Sequence, residues 1–212
     1  MISRSNIQYR RIVSIALIAV LSIGCVRRQE HIPLTKESLK GSGKLYLIPL
    51  GDFPAYAVTD LASYYRNKYG IQIETRPSVP LSPSAINSER KQLIAEKAIE
   101  IMKQANPELS NDAQAIMIGI TNRDMYIARF TWQFSYSYRE QGKYAVVSSG
   151  RMNELRGSQK LTEELLLKRL RKMITKNVGI LYYHLPPSGD PRSVLYREVE
   201  GIEDLDYMGE EF

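Results

Sequence analysis

Arg169, Lys172 and Lys176 follow one another at three- and four-residue steps inside the stretch Glu163 to Leu185, EELLLKRLRKMITKNVGILYYHL. On a helix these steps share a face, so the three cations form a basic face suited to anions. Tyr182, Tyr183 and His184 follow close behind. Histidine count sets the tightest limit on metal chemistry. The chain has only two, His31 and His184, and a single cysteine, Cys25. A three-histidine zinc site within one chain is therefore excluded, as are an intrachain disulfide and a cysteine metal cluster. A site built on His184 alone would need carboxylates such as Asp190, Glu198 or Asp206 to complete it. No G-x-S-x-G elbow, Walker loop or G-x-G-x-x-G is present, and nothing singles out a nucleophilic serine.

The elements that must position these residues can be read from periodicity. Thr162 is placed to cap a helix with Glu163 and Glu164 in its first turn. Leu166, Leu170, Met173, Ile174 and Val178 form its buried stripe, and Gly179 is expected to end it. Helices are predicted at about 54–69, 87–104 and 162–178. Strands are predicted at Lys44 to Leu50, Ile71 to Thr75, Ala115 to Thr121 and Tyr144 to Ser149, with Ala115 to Thr121 central. Phe134 to Arg139 alternates aromatic with polar residues and leads through a turn at Gln141-Gly142 into the last of these strands. Strand, helix, strand at the start predicts a right-handed crossover and a parallel pair.

Several stretches together resemble the archaemetzincin-like metalloproteases. With Gly179 set on the glycine of their HExxHxxGxxHC signature, Lys172 and Lys176 take the two helical His positions and Met173 that of the Glu. Tyr182 takes the third His position and Tyr183 that of the Cys. IGITNRDMYIARFTWQFSYSY is similar to the family's run from a GxTDxDLY turn to an aromatic strand, and GKYAVVSSGRM resembles its xAVVSxxRL strand. LIPLGDFP resembles the opening strand, and IEDLDYMGEEF resembles the tail LEDTDxKGxxFC. The resemblance spans about residues 44–212. It implies a single α/β metzincin-like domain with a mixed, mainly parallel twisted sheet packed by helices. It also implies a substrate cleft in which Phe130 to Tyr138 would bind an extended backbone by strand addition, with the Leu195 position beneath the zinc site. Two ammonium groups and a thioether cannot replace imidazoles and a general base, so zinc is expected to be absent and no catalytic residue is assigned. The former zinc and catalytic positions are Lys172, Met173, Lys176 and Tyr182. Ser193 stands at a cysteine position of the family's second, structural zinc site.

Arg169, Lys172, Lys176, Tyr183 and His184 are then the candidate lining of the old cleft, with Tyr182, Tyr136 and Tyr138 nearby. As an anion site this cleft would take a peptide C-terminus, a carboxylated glycan or a lipid phosphate. The opposing expectation is a closed cleft whose lysines extend to solvent along their apolar stems.

The N-terminus carries a different signal. Met1 to Arg11 is polar and basic, Ile12 to Ile23 is apolar with the length of a signal-peptide core, and Gly24-Cys25 follows. LSIGC resembles a bacterial lipobox. Residues 1–24 are thus expected to be a lipoprotein signal peptide and 25–43 a lipidated cysteine with a flexible tether. The domain at 44–212 would then face outward from the cytoplasmic membrane in a bacterial envelope. Setting aside Arg4, Arg10 and Arg11 leaves 26 of the 29 basic residues against 23 acidic ones, too mild a balance to draw nucleic acid. The expected function is an envelope-anchored, non-catalytic lipoprotein that binds a peptide, protein or other envelope ligand through the old cleft. The alternatives are a hydrolase using an unrecognised site and a structural envelope lipoprotein.

Overall fold

The structure, a computed structural model, describes residues 39–155, 157 and 159–212. The leader, Cys25 and the tether up to residue 38 lie outside the described residues. Residues 39–43, assigned from sequence to the end of the tether, lie against the domain. Leu39 packs on the core, and the Ser42 N–H donates to the Tyr182 carbonyl at 3.0 Å.

The chain runs β1 (Lys44–Pro49), α1 (Ala55–Tyr69), β2 (Ile73–Thr75), β3 (Ile86–Asn87) and β4 (Gln92–Ile94). It continues through α2 (Ala95–Ala105), α3 (Pro107–Asn111), β5 (Ala115–Thr121), β6 (Met125–Tyr126), β7 (Ser137–Glu140) and β8 (Tyr144–Ser148). The last helices are α4 (Glu163–Leu181) and α5 (Ile202–Tyr207). The main sheet has the order β2-β1-β5-β8-β7. Every neighbouring pair is parallel except the last, where β7 returns antiparallel along β8. All seven residues of β5 are buried, as its unbroken apolar run requires of a central parallel strand covered on both faces. Side chains alternate across the sheet. Leu45 and Leu47 face the core under α1 and α4, while Tyr46 and Ile48 face the core under α2.

Most expected elements are present. Gly70 ends α1 in the left-handed region and donates to the Arg66 carbonyl. Gln141 and Gly142 both have positive φ, which matches the twist of the β7–β8 hairpin. Two expectations need correction. The helix predicted from residue 87 starts at Ala95. Asn87 does accept two backbone N–H bonds, from Glu89 and Arg90, but they close a turn. Lys91 then takes a positive φ and the chain forms the β3–β4 hairpin. This hairpin joins β6 in a second, three-stranded sheet that periodicity did not foresee. The second correction concerns Gly179. Helix α4 passes through it to Leu181, and the residue in the left-handed region is His184. Gly179 is small for a different reason: a Cβ there would lie 2.5 Å from the Phe212 ring and 2.7 Å from Leu195.

Candidate functional site

Thr162 caps α4 as its sequence requires, its hydroxyl accepting from the Leu165 N–H at 3.0 Å. The apolar stripe packs on β5 and β8. In its second half the helix is buried on nearly every side, and this inverts the expectation for the basic face. Arg169 is 0% exposed, and Lys172 and Lys176 are each 3% exposed. None of the three extends to solvent.

Arg169 and Lys172 are spent on the C-terminal tail. Arg169 grips Asp206 through Nε and Nη2, both bonds at 2.7 Å, while Nη1 donates to the carbonyls of Met152 and Glu154 and Nη2 also donates to Gln159. Burial alone would push the Asp206 carboxyl up, but the bonds from Arg169 and Gln159 outweigh it and hold the group below its ordinary range. Lys172 Nζ donates to the carbonyls of Leu205 and Asp206 at 2.9 and 2.8 Å. Arg171 adds a 2.6 Å bond to Glu210. These side chains strap α5 onto α4.

One turn further on, Lys176 turns to an open cleft of about 670 Å³. Its floor holds Met173, Lys176 and the edge strand β7, and one wall is the segment from Ile127 to Tyr136. Asn177, fully buried, ties helix to strand. Its amide donates to Ser137 Oγ at 2.9 Å and to the Met173 carbonyl at 2.7 Å, while its oxygen accepts from Arg139 at 3.1 Å. The Ser148 N–H bonds to the Tyr136 carbonyl, so by antiparallel alternation the backbone of Ser137 and Arg139 points away from β8 toward the cleft. The wall is held rigid from behind. Gln133 accepts through its backbone from Arg90 and Gln92, and Arg151 both pairs with Asp124 at 2.9 Å and covers the Phe134 ring. At its rim Phe130 and Trp132 stack 4.6 Å apart, and Trp132 is 57% exposed.

No family model matches the chain. Among curated proteins it is 29% identical over 136 residues to the archaemetzincin of Natronomonas pharaonis, covering 63% of this chain and 75% of that one. It is 24% identical over the same length to the archaemetzincin of Haloquadratum walsbyi. In three dimensions it superposes on the crystal structure of the archaemetzincin of Archaeoglobus fulgidus, determined with malonate, with a TM-score of 0.63. That match has 20% identity and covers 80% of this chain and 94% of the other. The chain is an archaemetzincin homologue. The Methanocorpusculum labreanum zinc-dependent peptidase shares the fold at 15% identity and a TM-score of 0.62, covering 79% of this chain and 95% of that one.

The archaemetzincin fold is that of a zinc metallopeptidase family, and the residues of this homologue do not fit the metal. A zinc ligand must offer a lone pair. Lys172 instead donates protons to two carbonyls, and the Met173 thioether is packed in the core. Geometry fails as well. Because α4 continues past Gly179, six residues separate Lys176 from Tyr182 along the helix, about 9 Å of rise and some 240° of rotation. Tyr182 therefore does not line the cleft but packs against Tyr183, and a Cβ at Gly41 would collide with its ring. Tyr183 is buried against Phe212. His184 is exposed and shares a 2.7 Å hydrogen bond with Ser42. Asp190, Glu198 and Asp206 pair with Arg192, Arg197 and Arg169, so none joins His184. Among the described residues no group of three His, Cys, Asp or Glu side chains is placed to hold a metal ion.

Of the predicted cleft lining, Lys176, Met173, Tyr136 and Tyr138 come together; Arg169, Lys172, Tyr182, Tyr183 and His184 do not. Arg139, Asn177 and the segment Arg197 to Glu200 were missed. The alternation of Ser137 and Arg139 with Tyr138 was the available signal for Arg139, since these two must face the helix when Tyr138 faces the other core.

Proposed function

We propose that this chain is a non-catalytic archaemetzincin homologue that holds an extended peptide segment along β7. The observation that carries the reading is an open cleft with an edge strand and Lys176 on its floor; the resemblance in sequence, which gives Lys176 the position of a ligating imidazole, supports the non-catalytic part. An edge strand offers backbone donors and acceptors in a fixed row, and a peptide adding to it gains affinity from main-chain bonds without any reacting group. The aromatic rim suits side chains of that peptide. The lipobox-like sequence at Cys25 supports a place in the bacterial envelope, tethered through lipid, with a peptide or an exposed segment of an envelope protein as the partner.

The test uses hexapeptides selected from a random pool on immobilised protein, then resynthesised with single backbone N-methyl groups. Strand addition requires at least one methylated position to weaken binding by about tenfold or more. Binding indifferent to every N-methyl group overturns the strand-addition reading. Close to one zinc per chain by elemental mass spectrometry, together with zinc-dependent cleavage of a fluorogenic peptide, overturns the non-catalytic one.

A further inference from the structure

We propose that Lys176 and Arg139 form a carboxylate-binding subsite on the floor of the cleft, taking the C-terminal carboxylate or an acidic side chain of the bound peptide. The peptide rests on the function proposed above; the charge argument stands apart from it. Lys176 is almost wholly buried yet lines the cleft, and its ammonium has no hydrogen-bond acceptor among the described residues. Arg139 lines the same floor and bonds only a neutral amide oxygen, that of Asn177.

Two cations thus share one partly dry site without a carboxylate partner. The consequence is visible at Lys176: burial, and then repulsion from Arg139, hold its ammonium down to about 8. The other ionisable groups around the floor do not relieve this. Arg129 and Tyr138 are engaged with each other, Tyr136 is a phenol that burial keeps neutral, and Arg197 is paired with Glu198 on the rim. Glu198 and Glu200 also line the cleft but are exposed, and no bond joins either to Lys176 or Arg139. A carboxylate entering from the cleft would meet an ammonium and a guanidinium already fixed by Asn177 and the helix, the arrangement in which charge-assisted bonds gain most.

The experiment follows the Lys176 side chain by NMR across pH in the full chain carrying isotope-labelled lysine, with Lys176→Met to assign the signal. Sodium acetate should raise its titration midpoint by about one unit or more over sodium chloride of equal ionic strength, a tenfold preference for the charged form. Arg139→Gln should weaken that response. No displacement by acetate, or displacement by methyl phosphate alone, overturns the subsite. Acetylated tetraalanine with a free C-terminus, its C-terminal amide, and an amide containing one internal Glu then separate the sources. Either carboxylate-bearing peptide binding about tenfold tighter than the plain amide, with the preference lost in Lys176→Met, supports the subsite and names its source. Equal binding of all three peptides to parent and variant overturns it while leaving the peptide cleft intact. An acetate response without any peptide binding supports the subsite and counts against the peptide.

Discussion

Two clusters of cations lie little more than a helical turn apart, Arg169 with Lys172 on α4 and Lys176 of α4 with Arg139 of β7, and they differ in what answers their charge. At Arg169 and Lys172 a carboxylate, a carboxamide and four backbone carbonyls absorb the donors, and the C-terminal tail is strapped down in return. At Lys176 and Arg139 only Asn177 answers. The first arrangement holds the fold together, whereas the second is costly in the free protein because unpaired charge in a poorly solvated place disfavours the charged form. Helix α4 thus has one turn given over to a structural clamp and the next left facing an open cleft.

The largest effect is expected from cutting the clamp. Asp206→Asn leaves Arg169 buried beside a neutral amide and should lower stability by about 3 to 5 kcal/mol in urea unfolding. Replacing both partners, Arg169→Met with Asp206→Leu, should cost less than Asp206→Asn alone, since no orphaned charge remains. The Asp206 carboxyl lies below its ordinary value when folded. Its contribution is therefore complete above the unfolded value and is lost as pH falls through the folded one. Asp206→Asn should flatten that part of the acid limb; an unchanged limb would mean the pair is not formed.

The same operation on the open cluster should have the opposite sign. Lys176→Met removes an unanswered charge and should raise stability at pH 7 by on the order of 1 to 3 kcal/mol. In the parent the folded ammonium loses its proton near pH 8 while the unfolded one keeps it to about 10.4. Between these values the unfolded state binds more protons, so the parent gains stability as pH rises. The advantage of Lys176→Met should therefore shrink across that window. Taking the difference between the two proteins removes the buried tyrosines, which titrate higher. Loss of stability in Lys176→Met at pH 7 would show that the lysine has a partner after all.

How much of this contrast was legible follows from what sequence encodes locally. The α4 stripe, its Thr162 cap, the central strand and the crossover were readable because periodicity and caps are local properties. So was the family resemblance, and two of its matched stretches meet in space, Asp124 of the turn pairing with Arg151 that follows β8. The burial of the basic face was not readable. A lysine that extends to water and one that donates to carbonyls of a tail 33 residues away have the same helical spacing. The end of α4 was misplaced for a related reason. Glycine permits a left-handed turn and also permits close packing, and only Phe212 and Leu195 decide which use Gly179 serves. Gly179→Ala should test that choice. Its gain in helix propensity opposes two contacts shorter than 3 Å, and a net loss of about 1 kcal/mol is expected; a net gain would mean the tail yields readily.

The smallest effect on stability, and the clearest division between fold and function, is expected at Trp132. Its ring is mostly exposed and stacks only on Phe130, itself exposed, so Trp132→Ala should change stability by no more than about 0.5 kcal/mol. If the rim receives side chains of a peptide on β7, the same change should weaken peptide binding by about tenfold, because exposed aromatics at a cleft edge contribute through the area they cover on the partner. It should leave the acetate response of Lys176 unmoved, since the ring contributes no charge to the floor. A Trp132→Ala protein that binds selected peptides as the parent does would confine recognition to the strand and the two cations. One that loses the acetate response would mean that the wall, and not Asn177, fixes the geometry of the floor.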